Sequence, residues 1–238
     1  MPSWYDIVGL DSRSLELCNG LDQSMERILS LMEDEVIPNA NDGHCVDYSR
    51  IVLAGFSQGG ALALYTGMAS TRKAINSQPS NKPQGLGLAG ILIMSGYLPR
   101  SKSFAIAPGS ESTPILHCHG KQDSVVPVEA TELSRNHVTS LMEKMGGKKE
   151  SYEVKLYSGL DHSVSMDELD DVVTFLRRVL PPTETSAPND AVIGDPSVMS
   201  VRQLRGAIKQ AGLEEQAKGM FEKSELINLL QQYLNQKK

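Results

Sequence analysis

The chain has 238 residues, a formal net charge of -6 and 40% hydrophobic residues, with a mean hydropathy of -0.24. That length accommodates one full domain and an appendage, and the acidic balance argues against a whole-protein affinity for nucleic acid. Three cysteines, Cys18, Cys45 and Cys118, make no even disulfide framework and suit a reducing compartment. The longest mostly apolar stretch, residues 85–97, is shorter than the ~20 residues a membrane-spanning helix needs. The N-terminus lacks the basic-then-apolar pattern of a secretory signal, so a cytoplasmic location is expected. In chain order, Leu21, Met25, Ile28, Leu29, Met32 and Val36 recur at helical spacing and predict an amphipathic helix over 21–36. The run Ile51-Val52-Leu53-Ala54 predicts a strand over 50–55, followed by a helix over 58–69 that begins with small residues. Residues 88–94 are continuously apolar, as a strand covered on both faces requires. Strand 114–119, helix 127–145, strand 152–158 and helix 166–180 complete a βα alternation, which implies an α/β domain with a mainly parallel sheet. Segments 77–84 and 101–113 read as exposed insertions.

Gly55-Phe56-Ser57-Gln58-Gly59-Gly60 sits at the join between the 50–55 strand and the 58–69 helix. A Gly-x-Ser-x-Gly at such a join is the nucleophile elbow of an α/β-hydrolase. Ser57 is expected on a strained turn with its Oγ pushed out of the sheet, and flanking glycines relieve the crowding. The backbone N–H of Gln58, at the positive end of the helix, is a natural donor to a developing oxyanion. The motif alone also occurs by chance in loops; the strand before it and the helix after it are what distinguish this one. Asp123 lies just past the 114–119 strand and His162 just past the 152–158 strand. The order serine, acid, histidine is the one this fold requires, and all three leave the carboxyl ends of strands. Serine is a weak nucleophile at neutral pH, so His162 must take its proton, while Asp123 holds the imidazole in one tautomer and stabilises its charged form. Asp161 is the competing carboxylate, but a side chain adjacent to His162 is poorly placed for that orienting bond.

GFSQGGALALY, the HG-x-x-D-x-x-VP stretch at 119–127, the Y-x-G-x-x-H-S stretch at 157–163 and the opening Met1-Pro2-Ser3-Trp4-Tyr5-Asp6-Ile7 together resemble one family over residues 1–181. It is the acyl-protein thioesterase and lysophospholipase/carboxylesterase family of α/β-hydrolases. The resemblance implies hydrolysis of acyl thioesters and esters, notably palmitoyl-cysteine on proteins or else lysophospholipids, without a cofactor. It also implies depalmitoylation or lipid metabolism at a transiently contacted membrane surface, with no transmembrane segment. By residue, it implies Ser57 as nucleophile, Asp123 as acid, His162 as base and the Gln58 N–H as oxyanion donor. Trp4, Tyr97 and Val125 resemble positions beside the acyl channel. Family members carry, upstream of the MPSW segment, two core strands and a His-Gly loop with a second oxyanion donor; no HG-x-G-D segment precedes residue 55 here. The expectation is therefore a domain incomplete at its N-terminus, with an open strand edge and impaired turnover. A non-catalytic binding protein acting through its C-terminal part is the alternative function.

Pro181-Pro182 ends the last helix of this region. Residues 182–199 have the small, polar and proline-rich composition of a linker, and 200–238 form a second module. Ser200-Val201-Arg202-Gln203 reads as a capping box, Val201, Leu204, Ile208 and Ala211 as one helix face, and Gly212 as a stop. An extended connector over 213–221 precedes a helix over 223–234. This pattern resembles SAP-like helix-extension-helix modules, which bind proteins or nucleic acid. Residues 199–238 hold seven Lys and Arg against four Glu, a slight basic bias. A protein partner is expected, with weak nucleic-acid binding as the alternative. His117-Cys118-His119 places two histidines on one face of a strand. Without a third ligand cluster they read as core or supporting histidines, and no metal is expected.

Overall fold

Four strands, β1 (Val52–Phe56), β2 (Gly90–Met94), β3 (Ile115–Gly120) and β4 (Tyr152–Tyr157), form one sheet in the order β1-β2-β3-β4. Every pairing is parallel, with Leu53 opposite Ile91, Ile91 opposite Ile115 and Ile115 opposite Tyr152. The protein is seen in a computed structural model that describes residues 3–7, 17–36, 46–71, 84–181, 196–199, 201–220 and 222–236. The chain divides into two units, Met1–Pro181 and Pro182–Lys238.

In the first unit, period-2 alternation sends neighbouring strand residues to opposite faces. Ile91, Ile93 and Ile115 pack with Leu64 and Met68 of α2 (Gln58–Ala69), with Val138 and Met142 of α3 (Glu129–Lys144), and with Met32 of α1 (Leu21–Val36). Leu92, Leu116 and Cys118 pack on the other face with Val172 and Phe175 of α4 (Met166–Val179). Each such buried aliphatic or aromatic side chain contributes about 1.5–3 kcal/mol. The start of α4 is set by a capping box, in which the Ser165 hydroxyl accepts from Glu168 N and the Glu168 carboxylate reaches back to Ser165 N.

The two inner strands are covered on both faces, with every residue of β3 and all but Met94 of β2 buried. β1 differs. Among the described residues it pairs with β2 alone, and none of its residues is fully buried, Ala54 and Phe56 being exposed.

Two sequence expectations need correction. Residues 101–113 are not an exposed insertion. Phe104 and Ile106 are buried beside Leu86 and Met68, and Ala107 N donates to Met68 O. Apolar side chains at alternate positions tie this segment to the end of α2. The 77–84 segment, apart from Gln84, lies outside the described residues, as do His44 and Cys45.

In the second unit, α5 (Val201–Gln210) and α6 (Lys223–Gln236) bury Leu204, Ala207 and Ile208 against Leu226, Leu229 and Leu230. Gly212 adopts φ 71. Its N–H donates to Lys209 O, and Leu213 N–H donates to Ile208 O, which caps α5 as a Schellman motif. The connector is not extended throughout, since residues 214–219 coil into turns. Ala217 N bonds Leu213 O, and coiling lets both Leu213 and Ala217 enter the core that an extended chain would carry them past. Ser200 of the expected capping box and most of the 182–199 linker lie outside the described residues.

Candidate active site

Ser57 joins β1 to α2 with φ 54 and ψ −121, a region that non-glycine residues rarely occupy. Such a conformation costs about 1–3 kcal/mol and persists only where its surroundings over-determine it. Here Ser57 N donates to Met94 O at 2.7 Å, and Ser57 O accepts the first helical bond from Ala61 N at 3.0 Å. A Cβ on Gly55 would collide with the backbone of Gly59, and one on Gly60 would lie 2.8 Å from Gly55 O. Gly59 is open, its missing Cβ facing only the Trp4 indole nitrogen at 3.7 Å. The close approach of strand and helix is thus made by Gly55 and Gly60, whereas the motif alone points to Gly55 and Gly59. Gln58 is the first residue of α2, where backbone N–H groups have no intrahelical acceptor. Its side chain bridges to the N-terminal segment, accepting from Trp4 N at 2.9 Å and donating to Tyr5 O at 2.6 Å.

His162 lies in the loop after β4. Its Nε2 is 3.0 Å from Ser57 Oγ, and its Nδ1 is 2.8 Å from Asp123 Oδ2. Asp123 accepts at Oδ2, so Nδ1 carries the proton and Nε2 is left to accept from the serine hydroxyl. The other oxygen of Asp123 accepts from Val125 N at 2.9 Å and Val126 N at 2.8 Å. Burial raises the pKa of this carboxyl, but the bonds from His162 and from the two backbone amides outweigh it, and the net shift is downward. The geometry can move a proton from Ser57 to His162 and hold the resulting imidazolium against a carboxylate.

Asp161 is not part of that line. Its Oδ1 accepts from Ser124 N, Ser124 Oγ and the backbone N of His162, each at 2.8 Å. Among the positions expected near an acyl channel, Trp4 and Val125 are exposed beside the elbow and the acid loop. Tyr97 is buried with Tyr5, Ala61, Leu62 and Val126, its hydroxyl 3.0 Å from that of Tyr5. Its side chain thus packs in the core around the first turns of α2.

One neighbour, Phe56, was not singled out by sequence reasoning, and a second, His119, was read only as a core or supporting histidine. Phe56, 36% exposed, places its ring 4.8 Å from that of His162; its position directly before Ser57 was the available signal. His119 is fully buried, with Nε2 2.9 Å from Val126 O and 3.4 Å from Asp123 Oδ2. Its signal was strand alternation, which turns His117 and His119 to one face. His117 bonds Tyr152 OH and Gly96 O, and burial lowers its pKa to about 3. Both histidines are thus neutral supports of the core. Burial pushes the Cys118 thiol up to about 12, which leaves it unreactive. Among the described residues, no group of three His, Cys, Asp or Glu could hold a metal ion, and no helix is long and apolar enough to cross a membrane.

Similarity to known proteins spans the first unit. A model of the Phospholipase/Carboxylesterase family matches residues 1–180. Acyl-protein thioesterase 1 of Gibberella zeae is 37% identical over 193 residues, covering 76% of this chain and 70% of that protein. Acyl-protein thioesterase 1 homolog 1 of Dictyostelium discoideum is 35% identical over 185 residues, covering 76% and 69%. Among solved structures, Arabidopsis thaliana SOBER1 superimposes with a TM-score of 0.54 at 24% identity, covering 76% of this chain and 75% of that one. Zea mays acyl-protein thioesterase 2 gives 0.54 at 23%, covering 75% and 72%. At those identities the structures establish the fold, an α/β-hydrolase. With the match running from the N-terminal segment to the end of α4, the chain belongs to the phospholipase/carboxylesterase family and is a serine hydrolase of carboxylic esters and thioesters.

Proposed function

We propose that this chain is an acyl-protein thioesterase that removes long-chain acyl groups, palmitoyl foremost, from cysteines of cytoplasmic proteins through a Ser57-His162-Asp123 acyl-enzyme cycle. The observation that carries the reading is the unbroken hydrogen-bond line from Ser57 Oγ through His162 to Asp123, at 3.0 and 2.8 Å, starting from a strained elbow. Ser57 Oγ attacks the thioester carbonyl carbon as its proton passes to His162 Nε2. Asp123 stabilises the imidazolium while the backbone N–H of Gln58, at the α2 N-terminus, donates to the oxyanion. Collapse expels the cysteine thiolate, which takes the proton from His162. Water, deprotonated by His162, then releases the fatty acid and restores Ser57. Trp4, Phe56 and Val125, all exposed around this line, supply an apolar surface suited to an acyl chain. The names of the Gibberella zeae and Dictyostelium discoideum relatives favour a protein thioester over a lysophospholipid. The α5–α6 module is assigned to docking a protein partner.

The test is fluorophosphonate labelling of the full chain, followed by turnover of an S-palmitoyl peptide and of a lysophosphatidylcholine. Labelling is expected at Ser57, with its loss in Ser57→Ala, and faster turnover of the thioester is expected. Labelling that persists at another serine overturns the mechanism. Turnover of the lysophospholipid alone overturns the substrate assignment.

A further inference from the structure

The acid loop and the base loop leave adjacent strands and are bonded to each other at two levels. Their roots are joined by Lys121 N to Tyr157 O at 2.9 Å, Gln122 N to Leu160 O at 3.0 Å and Gly159 N to Gln122 Oε1 at 2.5 Å. A Cβ on Gly120 would collide with Leu160 O, so the two backbones pass close together there. Beyond these roots one atom joins the tips. Asp161 Oδ1 collects the N–H and the O–H of Ser124 and the N–H of His162, all at 2.8 Å. Ser124 directly follows Asp123, and the third donor is the backbone of His162 itself. A single carboxylate oxygen thus fixes the main chain on both sides of the 2.8 Å Asp123–His162 bond.

We propose that Asp161 is a positioning residue of the Ser57-His162-Asp123 site, a latch that sets the separation and angle between the acid and the base by clamping Ser124 to the His162 backbone. The proposal rests on the triad reading above and adds to it a residue that touches neither substrate nor Ser57. The chemistry fits the task. A carboxylate oxygen offers several lone pairs, and charge-assisted bonds to it are shorter and stronger than neutral ones. The latch is exposed and the roots remain in its absence, so releasing it frees the loop tips without unfolding the unit. Catalytic geometry is far more sensitive than fold stability to such a change, because misplacement by 1 Å costs about 10²-fold.

The experiment uses the full chain and three variants, Asp161→Ala, Asp161→Asn and Ser124→Ala. Two readouts are taken, steady-state turnover of an acyl ester and the downfield proton resonance of His162 Nδ1–H in histidine-labelled protein. Asp161→Ala is expected to lower kcat by about 10–100-fold with KM little changed, and to broaden or abolish the resonance while the thermal midpoint stays close to wild type. Asp161→Asn keeps an acceptor oxygen and is expected to restore most of kcat and the resonance. Ser124→Ala keeps one of its two donors and is expected to fall between. The proposal is overturned by an unchanged resonance and kcat in Asp161→Ala, by a change in KM alone, or by Asp161→Asn proving as damaging as Asp161→Ala. If wild type neither labels nor turns over, the triad reading fails, and the resonance comparison still decides whether Asp161 holds His162 against Asp123.

Discussion

The elbow and the acid–base loops meet at one site but are held by different means. Ser57 sits on β1, which pairs on one side only among the described residues and has no fully buried residue. Its geometry is secured by two glycines that let α2 fold back onto its own strand, by Ser57 N on Met94 O of the next strand, and by the side chain of Gln58 on residues 4 and 5. Asp123 follows the wholly buried β3, whereas His162 follows β4, which like β1 pairs on one side only among the described residues, and their loops hold each other through backbone and Asp161 bonds. The elbow thus combines a short-range contact of strand and helix at Gly55 and Gly60 with bonds to residues 4, 5 and 94. The acid–base pair is a long-range construction that depends on the register of β3 and β4. Variants that strike one side and spare the other test this division.

The largest effect belongs to the acid. Asp123→Asn should cut turnover by about 10⁴, as removal of the orienting charge does in the best-studied triad, while circular dichroism shows the fold retained and Ser57 still labels slowly. Its pH dependence sharpens the point. The Asp123 carboxyl is held below its ordinary value, so its contribution to stability is complete above the unfolded pKa of about 3.9 and fades as pH falls through the lower folded value. The midpoint difference between wild type and Asp123→Asn should therefore shrink in acid. A difference that widens below pH 4 contradicts the assignment of the charge.

On the elbow side, Gly55→Ala places a Cβ against the Gly59 backbone. It should destabilise by about 1–3 kcal/mol or more, and abolish labelling of Ser57 before it abolishes folding. Gly59→Ala, whose Cβ meets only the Trp4 indole at 3.7 Å, should label nearly as wild type. Equal damage from the two would mean that the motif, and not the strand–helix contact, is what matters.

In the sheet, Leu116→Ala in buried β3 should cost about 2–5 kcal/mol in urea unfolding, whereas Val52→Ala in half-buried β1 should cost much less. The smallest effect is expected for Ala54→Lys on the exposed edge, within about 0.5 kcal/mol. A large loss there would show that the β1 edge is covered by something in solution.

Much of this was legible in the sequence, for reasons that differ by residue. The α1, α2 and β4 segments were readable because hydrophobic period and the Gly-x-Ser-x-Gly junction are local signals. That Asp123 and His162 lie in loops just past strands was readable from the strand patterns before them. Residues 101–113 were misread because turn-forming residues there mask Phe104 and Ile106, whose burial depends on where Met68 and Leu86 happen to lie. The connector at 214–219 was misread because only the assembled helix pair shows that Leu213 and Ala217 share a core.

The sequence by itself determined the βα alternation and the strand–turn–helix junction at Ser57, because each is written in residues near one another along the chain. Tertiary structure alone decided which glycines carry the close approach, and that His119 backs Asp123 while Asp161 ties two loops together. The tie between the loops and the meeting of serine with base depend on distances between residues 37 to 105 positions apart, such as Ser124 to Asp161 and Ser57 to His162. No periodicity encodes such distances; they are set by the parallel register and by the packing of helices on both faces of the sheet.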